Sequence, residues 1–283
     1  MAISWLIFSI ISAFCESIKS ILHRKVMITQ DPYAYALFEN IFAAIIFLFF
    51  INRSFFPNEF IAWFIVLISS LLWLSLSIIA QFSYKYTKVS IQEPLKQTRI
   101  IWVFLFGIIF LSEVASLNKF LGTLLIIIGL VYLSYEKKNK FGSLNNKGVL
   151  FTLLTAFLFA IVTIVDKYAL NYFNAETYGF LVYLFPGIAL IIINKSKKNS
   201  NILSLIKNFW LIILIVALSS FGFYYFKLKA LELADASLVF PIIRSATILT
   251  VLGGIIFLNE KENIVKKIIS SLIVFVGILL LSF

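Results

Sequence analysis

Cysteine and histidine each occur once, as Cys15 and His23, and that scarcity excludes two kinds of chemistry. A lone cysteine closes no internal disulfide. One histidine and one cysteine cannot supply a His/Cys metal cluster, and the pairing of nucleophile with histidine base that hydrolases use has little to draw on. No glycine-rich nucleotide loop is present. Charge is scarce as well, at 13% of residues, against about a quarter in soluble proteins. The formal net charge of +11 comes from basic residues dispersed among short connections, not gathered on one domain. It therefore points to membrane topology and away from nucleic acid. No cofactor is implied.

Apolar residues are abundant, at 61% of the chain with a mean hydropathy of +1.02. A soluble fold of this length could not cover so much apolar surface, whereas a bilayer accepts it on every face. About 20 apolar residues cross the hydrocarbon core. The sequence offers ten such runs: 2–22, 34–51, 61–80, 91–112, 119–135, 148–167, 177–194, 209–226, 237–258 and 266–283. They are continuous and rich in Leu, Ile and Phe rather than alternating, so helices are expected and barrel strands are not. The opening "MAISWLIF" lacks a basic leader and a cleavage site, and is expected to belong to a retained helix.

The chain reads as a duplication. Residues 90–113, "SIQEPLKQTRIIWVFLFGIIFLSE", align without a gap on 237–260, "SLVFPIIRSATILTVLGGIIFLNE", with ten of 24 positions identical. Chance in such a composition gives about two or three, and an internal repeat takes precedence over other fold signals. The first helices echo one another at Ala13/Ala156, Phe14/Phe157, Ile18/Ile161 and Ile21/Ile164. The expected architecture is all-α: a polytopic membrane protein of ten transmembrane helices in a 5+5 inverted repeat. Its units are residues 1–135 and 148–283. An odd number of spans per unit makes the second enter from the opposite face, the layout of many transporters with a midplane site.

Candidate functional residues are the polar ones inside spans. Pro94 and Pro241 each follow a serine, Ser90 and Ser237, by four residues. A proline there removes a helical hydrogen bond, so a matched pair of helix starts, kinks or breaks is expected. Glu93, Lys96 and Arg99 cover an arc of roughly 120° of one helix face. They turn to a hydrated cavity or snorkel to the interface. Arg244 has no acid nearby in sequence, so its partner must come from another helix, a substrate anion or a membrane glutamate. Two glutamates are available. Glu16 shares a helix face with Lys19, which makes an internal pair one reading; in the other, Glu16 or Glu39 binds a cationic group or takes up a proton. Neither has a counterpart in the second unit, where Phe159 and Val182 align. Trp73, Trp102, Tyr224 and Tyr225 either pack or wall a pocket that contacts a cation. Glu113 and Glu260 close the matched strings and cap a helix or latch a gate.

Ten spans in two halves, the early proline in the fourth helix, and the strings "YTKVSIQEPL…GIIFLSE" (86–113) and "LELADASLVFPIIRSATILTVLGGIIFLNE" (231–260) resemble the drug/metabolite transporter superfamily, specifically its EamA-like members. The resemblance implies movement of a small polar metabolite, amino-acid-like compound or organic cation, without covalent chemistry. It places the chain in the plasma membrane with both termini in the cytoplasm. Loop charges say otherwise: fifteen Lys and Arg follow the odd-numbered spans and five the even ones, which puts the termini outside. Expected partners are a small-molecule solute, the bilayer, protons as a coupling ion and a second copy of the chain. A lipid-linked-sugar flippase and a non-transporting receptor are the alternative functions.

Overall fold

The computed structural model describes residues 4–27, 30–51, 56–86, 95–134, 147–196, 201–246, 248 and 264–282. Among them the chain forms ten helices and no strand: α1 Ser4–Met27, α2 Pro32–Leu48, α3 Phe60–Tyr86, α4 Thr98–Leu111, α5 Leu117–Ser134, α6 Lys147–Ala169, α7 Ala175–Ser196, α8 Asn201–Leu233, α9 Ala236–Arg244 and α10 Ile264–Ser282. Every expected span overlaps one of them. By length and composition α3, α6, α7 and the Leu205–Leu233 part of α8 are long and apolar enough to cross a membrane; α2, α4 and stretches of α5 and α10 are shorter apolar helices. Large apolar side chains such as Phe14, Leu67, Ile109, Leu150, Ile192 and Leu272 stand exposed on the outer surface, where lipid replaces water as solvent.

Three helices overrun their expected ends by five residues or more, α1 among them, which continues to Met27 instead of stopping at 22. The α3 and α8 spans were expected to stop at 80 and 226, where hydropathy falls, yet they continue to Tyr86 and Leu233. Gln81 and Lys227, the first polar residues past those limits, are fully buried. Their turns meet protein rather than lipid and stay helical. Lys227 is therefore not a loop charge, as the count of basic residues in connections had taken it to be. Local signals act elsewhere: α2 begins with Pro32 in its first turn, and Asp31 accepts from the amides of Tyr33 and Ala34 at 2.9 and 3.1 Å.

Packing repeats the duplication. The α1–α8 contact is matched by α6–α3, α2–α8 by α7–α3, α4–α6 by α9–α1, and α2–α3 by α7–α8. The α2–α7, α4–α9 and α5–α10 pairs are each their own counterpart. A pseudo-twofold axis therefore passes between two five-helix units of opposite direction, the inverted repeat expected. At α5–α10 the backbones close on one another: a Cβ built on Gly122 would lie 2.9 Å from the carbonyl oxygen of Gly277.

The interruption of the fourth helix lies later than expected. Pro241 sits inside α9 with helical backbone on both sides, so the helix neither starts nor breaks there. Instead α9 ends at Arg244, and α4 is preceded by a turn at Gln97. At both places a hydroxyl bonds back to a carbonyl three residues earlier. Thr98 Oγ1 donates to Leu95 at 2.8 Å, and Ser245 Oγ donates to Ile242 at 2.6 Å. Residues 98 and 245 are partners at the repeat offset, so the turn itself is duplicated. Ser90, Glu93, Pro94 and Glu260 lie outside the described residues.

Glu113 ties the units together. α4 ends with Ser112 in the left-handed region (φ 54°), and the Glu113 amide donates to the Gly107 carbonyl. This folds the Glu113 carboxylate over Gly107, where it accepts from the amides of Ala236 and Ser237 at 2.7 and 3.0 Å. The cap expected on the next helix is placed on α9 of the other unit. A Cβ on Gly107 would meet Glu113 Oε2 at 2.7 Å. Loss of such a cap costs about 0.5–2 kcal/mol. Glu113→Ala and Gly107→Ala should each lower the melting temperature in detergent, and the double variant should lose no more than the worse single one. Additive losses would show that Gly107 does not act through Glu113.

Candidate functional site

Between the units lies a cavity of about 80 Å³, lined from α1, α2, α3, α4, α6 and α8, which is room for several waters. Glu16, Lys19, His23, Glu39, Trp73, Lys96 and Arg99 are among its lining residues. It runs from mid-helix positions such as Glu16 and Phe159 toward His23 and Tyr84, the end of the bundle away from both termini.

Two carboxylates organise the charges. Glu39 receives Lys19 Nζ at 2.6 Å and Ser220 Oγ at 2.8 Å on one oxygen, and Gln81 Nε2 at 3.2 Å on the other. His23 Nε2 stands 3.6 Å from the second oxygen, too long for a hydrogen bond. Glu16 accepts from Arg244 Nη1, and Arg99 Nη1 lies 4.0 Å from the same oxygen. Lys19 thus turns to α2 and not to Glu16, and the pair expected within α1 gives way to bonds between helices. Arg244 finds the membrane glutamate that its apolar neighbours in sequence lack.

Aromatic faces carry the remaining cations. Lys96 Nζ lies 4.3 Å from the Tyr84 ring centre and donates to its hydroxyl at 3.1 Å. The Arg99 guanidinium lies 4.8 Å from the Phe159 ring centre. Phe159 is the repeat counterpart of Glu16, so the second unit supplies an apolar plate where the first supplies a charge.

Several buried polar atoms of the lining have no hydrogen-bond partner among the described residues: both His23 ring nitrogens, Asn40 Oδ1, Gln81 Oε1 and Trp73 Nε1. Their amide ends are oriented by other bonds, since Asn40 Nδ2 donates to Ala36 and Gln81 Nε2 to Glu39. Leaving such a group dry costs about 1–3 kcal/mol. A polar group entering the cavity would satisfy them.

Of the expected pocket residues, Arg244 bonds to Glu16 without joining the lining, and Tyr224, which donates to Asp166 at 2.9 Å, Trp102 and Tyr225 lie elsewhere. Trp102 is on the outer surface against Phe157 and Phe106. Tyr225 belongs to the opposite end, donating to Glu176 at 3.1 Å and stacked on Phe221. In α9, Ser237 and Pro241 are buried but do not line the cavity. Residues that sequence reasoning missed come mostly from α3: Gln81 and Tyr84 fell beyond the expected end of the span. His23 and Asn40 were also missed. A polar side chain one helical turn from Lys19 or beside Glu39 was the available signal for these two.

The model of the EamA-like transporter family matches residues 3–135 and, a second time, 146–283. The chain belongs to the EamA-like transporter family. The paired matches coincide with the units related by the pseudo-twofold axis. A solved crystal structure superposes with a TM-score of 0.78 at 12% identity, covering 98% of this chain and 96% of that one. At that identity the likeness concerns the fold. Curated protein sequences show no match. In this EamA-like protein the multi-pass helical bundle is the membrane body, and the charged cavity lies inside it.

Removing one partner of a buried ion pair costs about 3–5 kcal/mol, because the other charge remains buried. Glu39→Gln should therefore destabilise the protein strongly, and adding Lys19→Met should recover part of the loss. Thermal unfolding of the four proteins in detergent checks this. A double variant as weak as the sum of the singles would mean that the two groups do not interact.

Proposed function

We propose that this EamA-like protein is a secondary-active transporter of the plasma membrane that moves a small polar, amino-acid-like solute by alternating access of its two halves. The observation that carries the proposal is the mixed lining of the cavity. Three lining cations, Lys19, Lys96 and Arg99, face two lining carboxylates, Glu16 and Glu39, and Arg244 binds Glu16 from outside the lining, which favours a solute bearing a carboxylate. The open acceptors Asn40 Oδ1 and Gln81 Oε1, beside Glu39, suit a donor such as an ammonium group. A solute with both groups spans the cavity with each end matched, whereas a purely cationic one meets the excess positive charge. The same argument ranks an organic cation below an amino-acid-like compound.

Arg99 and Lys96 also suit a phosphate, and this supports the flippase as a second reading. That activity requires a lipid substrate, so uptake of a water-soluble solute separates the two. A receptor would bind without moving its ligand. Proton coupling is proposed through Glu16 and Glu39, the carboxylates within the solute's reach.

Counterflow in proteoliposomes loaded with a mixture of amino acids is the primary test; exchange of labelled for unlabelled solute is expected. Arg99→Gln should raise KM at least tenfold, through loss of a charge-assisted bond to the solute carboxylate. If an imposed pH gradient leaves uptake unchanged in the parent and in Glu16→Gln and Glu39→Gln alike, coupling through these groups is wrong. Absence of any exchange, together with lipid scrambling, would favour the flippase.

A further inference from the structure

A second polar cluster lies sealed at the end of the bundle that carries both termini. Asp166 on α6 accepts from Tyr178 and Tyr224 at 2.8 and 2.9 Å on one oxygen and from Lys227 at 2.7 Å on the other. Tyr178 also donates to Ser69 at 2.8 Å. Asp166 and Lys227 have no exposed side-chain surface, and no part of the solute cavity reaches them. A pair so completely dehydrated is a poor source of stability.

The repeat relates this cluster to the wall of the open cavity. The offset of 143 that aligns Glu16 with Phe159 and Glu39 with Val182 also aligns His23 with Asp166, Tyr35 with Tyr178 and Tyr84 with Lys227. The contacts obey the same relation. His23 meets Tyr35 and Tyr84 edge-on at 5.1 and 5.4 Å, as Asp166 meets Tyr178 and Lys227. His23 and Tyr84 of the first trio line the cavity, and the counterpart trio is buried at the other end of the bundle.

We infer that Asp166, Thr163 and Lys227 form a latent second chamber of the solute path, closed here by their own ion pair and hydrated when the two units exchange conformations. The inference rests on the alternating-access reading and adds to it the residues that line the other route. In the exchanged state the pair offers a carboxylate and an ammonium group to the same class of solute. Thr163 is the counterpart of Ser20, which lines the present cavity. It is buried, with its hydroxyl bonded to Phe159 of its own helix, so a cysteine fits there.

The test uses full-length protein in proteoliposomes with Cys15→Ser, which leaves a single introduced thiol. Ser20→Cys and Thr163→Cys are labelled with a charged methanethiosulfonate reagent. Thr163→Cys should react at least tenfold more slowly than Ser20→Cys. Asp166→Asn strands Lys227 and should accelerate labelling of Thr163→Cys at least fivefold, whereas Asp166→Asn with Lys227→Met should restore the slow rate. Lys227→Met alone gives the same reading should Asp166→Asn fold poorly. Unchanged slow labelling of Thr163→Cys in both single variants, with Ser20→Cys reacting normally, would overturn the inference. Counterflow on the same vesicles separates the two proposals: exchange with an inert Thr163→Cys defeats the chamber alone, and labelling without exchange defeats transport alone.

Discussion

A carboxylate buried in a membrane protein must find a cation within the protein, and Glu16 finds its own in the other half of the chain. Its bond to Arg244, with Arg99 4.0 Å away, joins α1 to α9 at the level of the cavity. Isolated in hydrocarbon, any of these groups would cost about 2.5–3.5 kcal/mol or more. Together they make a hydrated interior tolerable. The cavity exists where it does because the charges are satisfied between helices and not within one.

The duplication sets this local bond in a symmetric frame. Both units carry the same turn, held by Thr98 in one and Ser245 in the other, so the fourth helices meet as equivalents. The units differ in chemistry. The first places Glu16 and Glu39 on the cavity, while the second has Phe159 and Val182 at the matching positions and buries a separate ion pair, Asp166 with Lys227. In this symmetric frame with unlike linings, Asp166 and Lys227 are paired and buried at the positions whose counterparts, His23 and Tyr84, line the cavity.

Much of this was legible in residue patterns, and the failures have physical causes. The repeated "GIIFL" blocks and ten apolar runs carried the architecture, because span length and duplication are sequence properties. The need of Arg244 for a distant acid was readable from its apolar neighbours. The partner of Lys19 was not, since an i,i+3 geometry within α1 competes with an unseen helix, and Glu39 wins at 2.6 Å. Gln81, Tyr84 and Lys227 escaped because hydropathy marks where a lipid-facing helix should end, and these turns face protein. Trp102 and Tyr225 were misplaced for a related reason: composition does not show which side of a helix a ring occupies.

The central claim, that Glu16 and Arg244 hold the two units together beside the charged cavity, is tested most directly by exchanging the charges. Melting temperature should fall sharply in Glu16→Arg and in Arg244→Glu, each of which sets like charges against one another, and should recover in large part in the double exchange. A double exchange no more stable than the single variants would contradict the account.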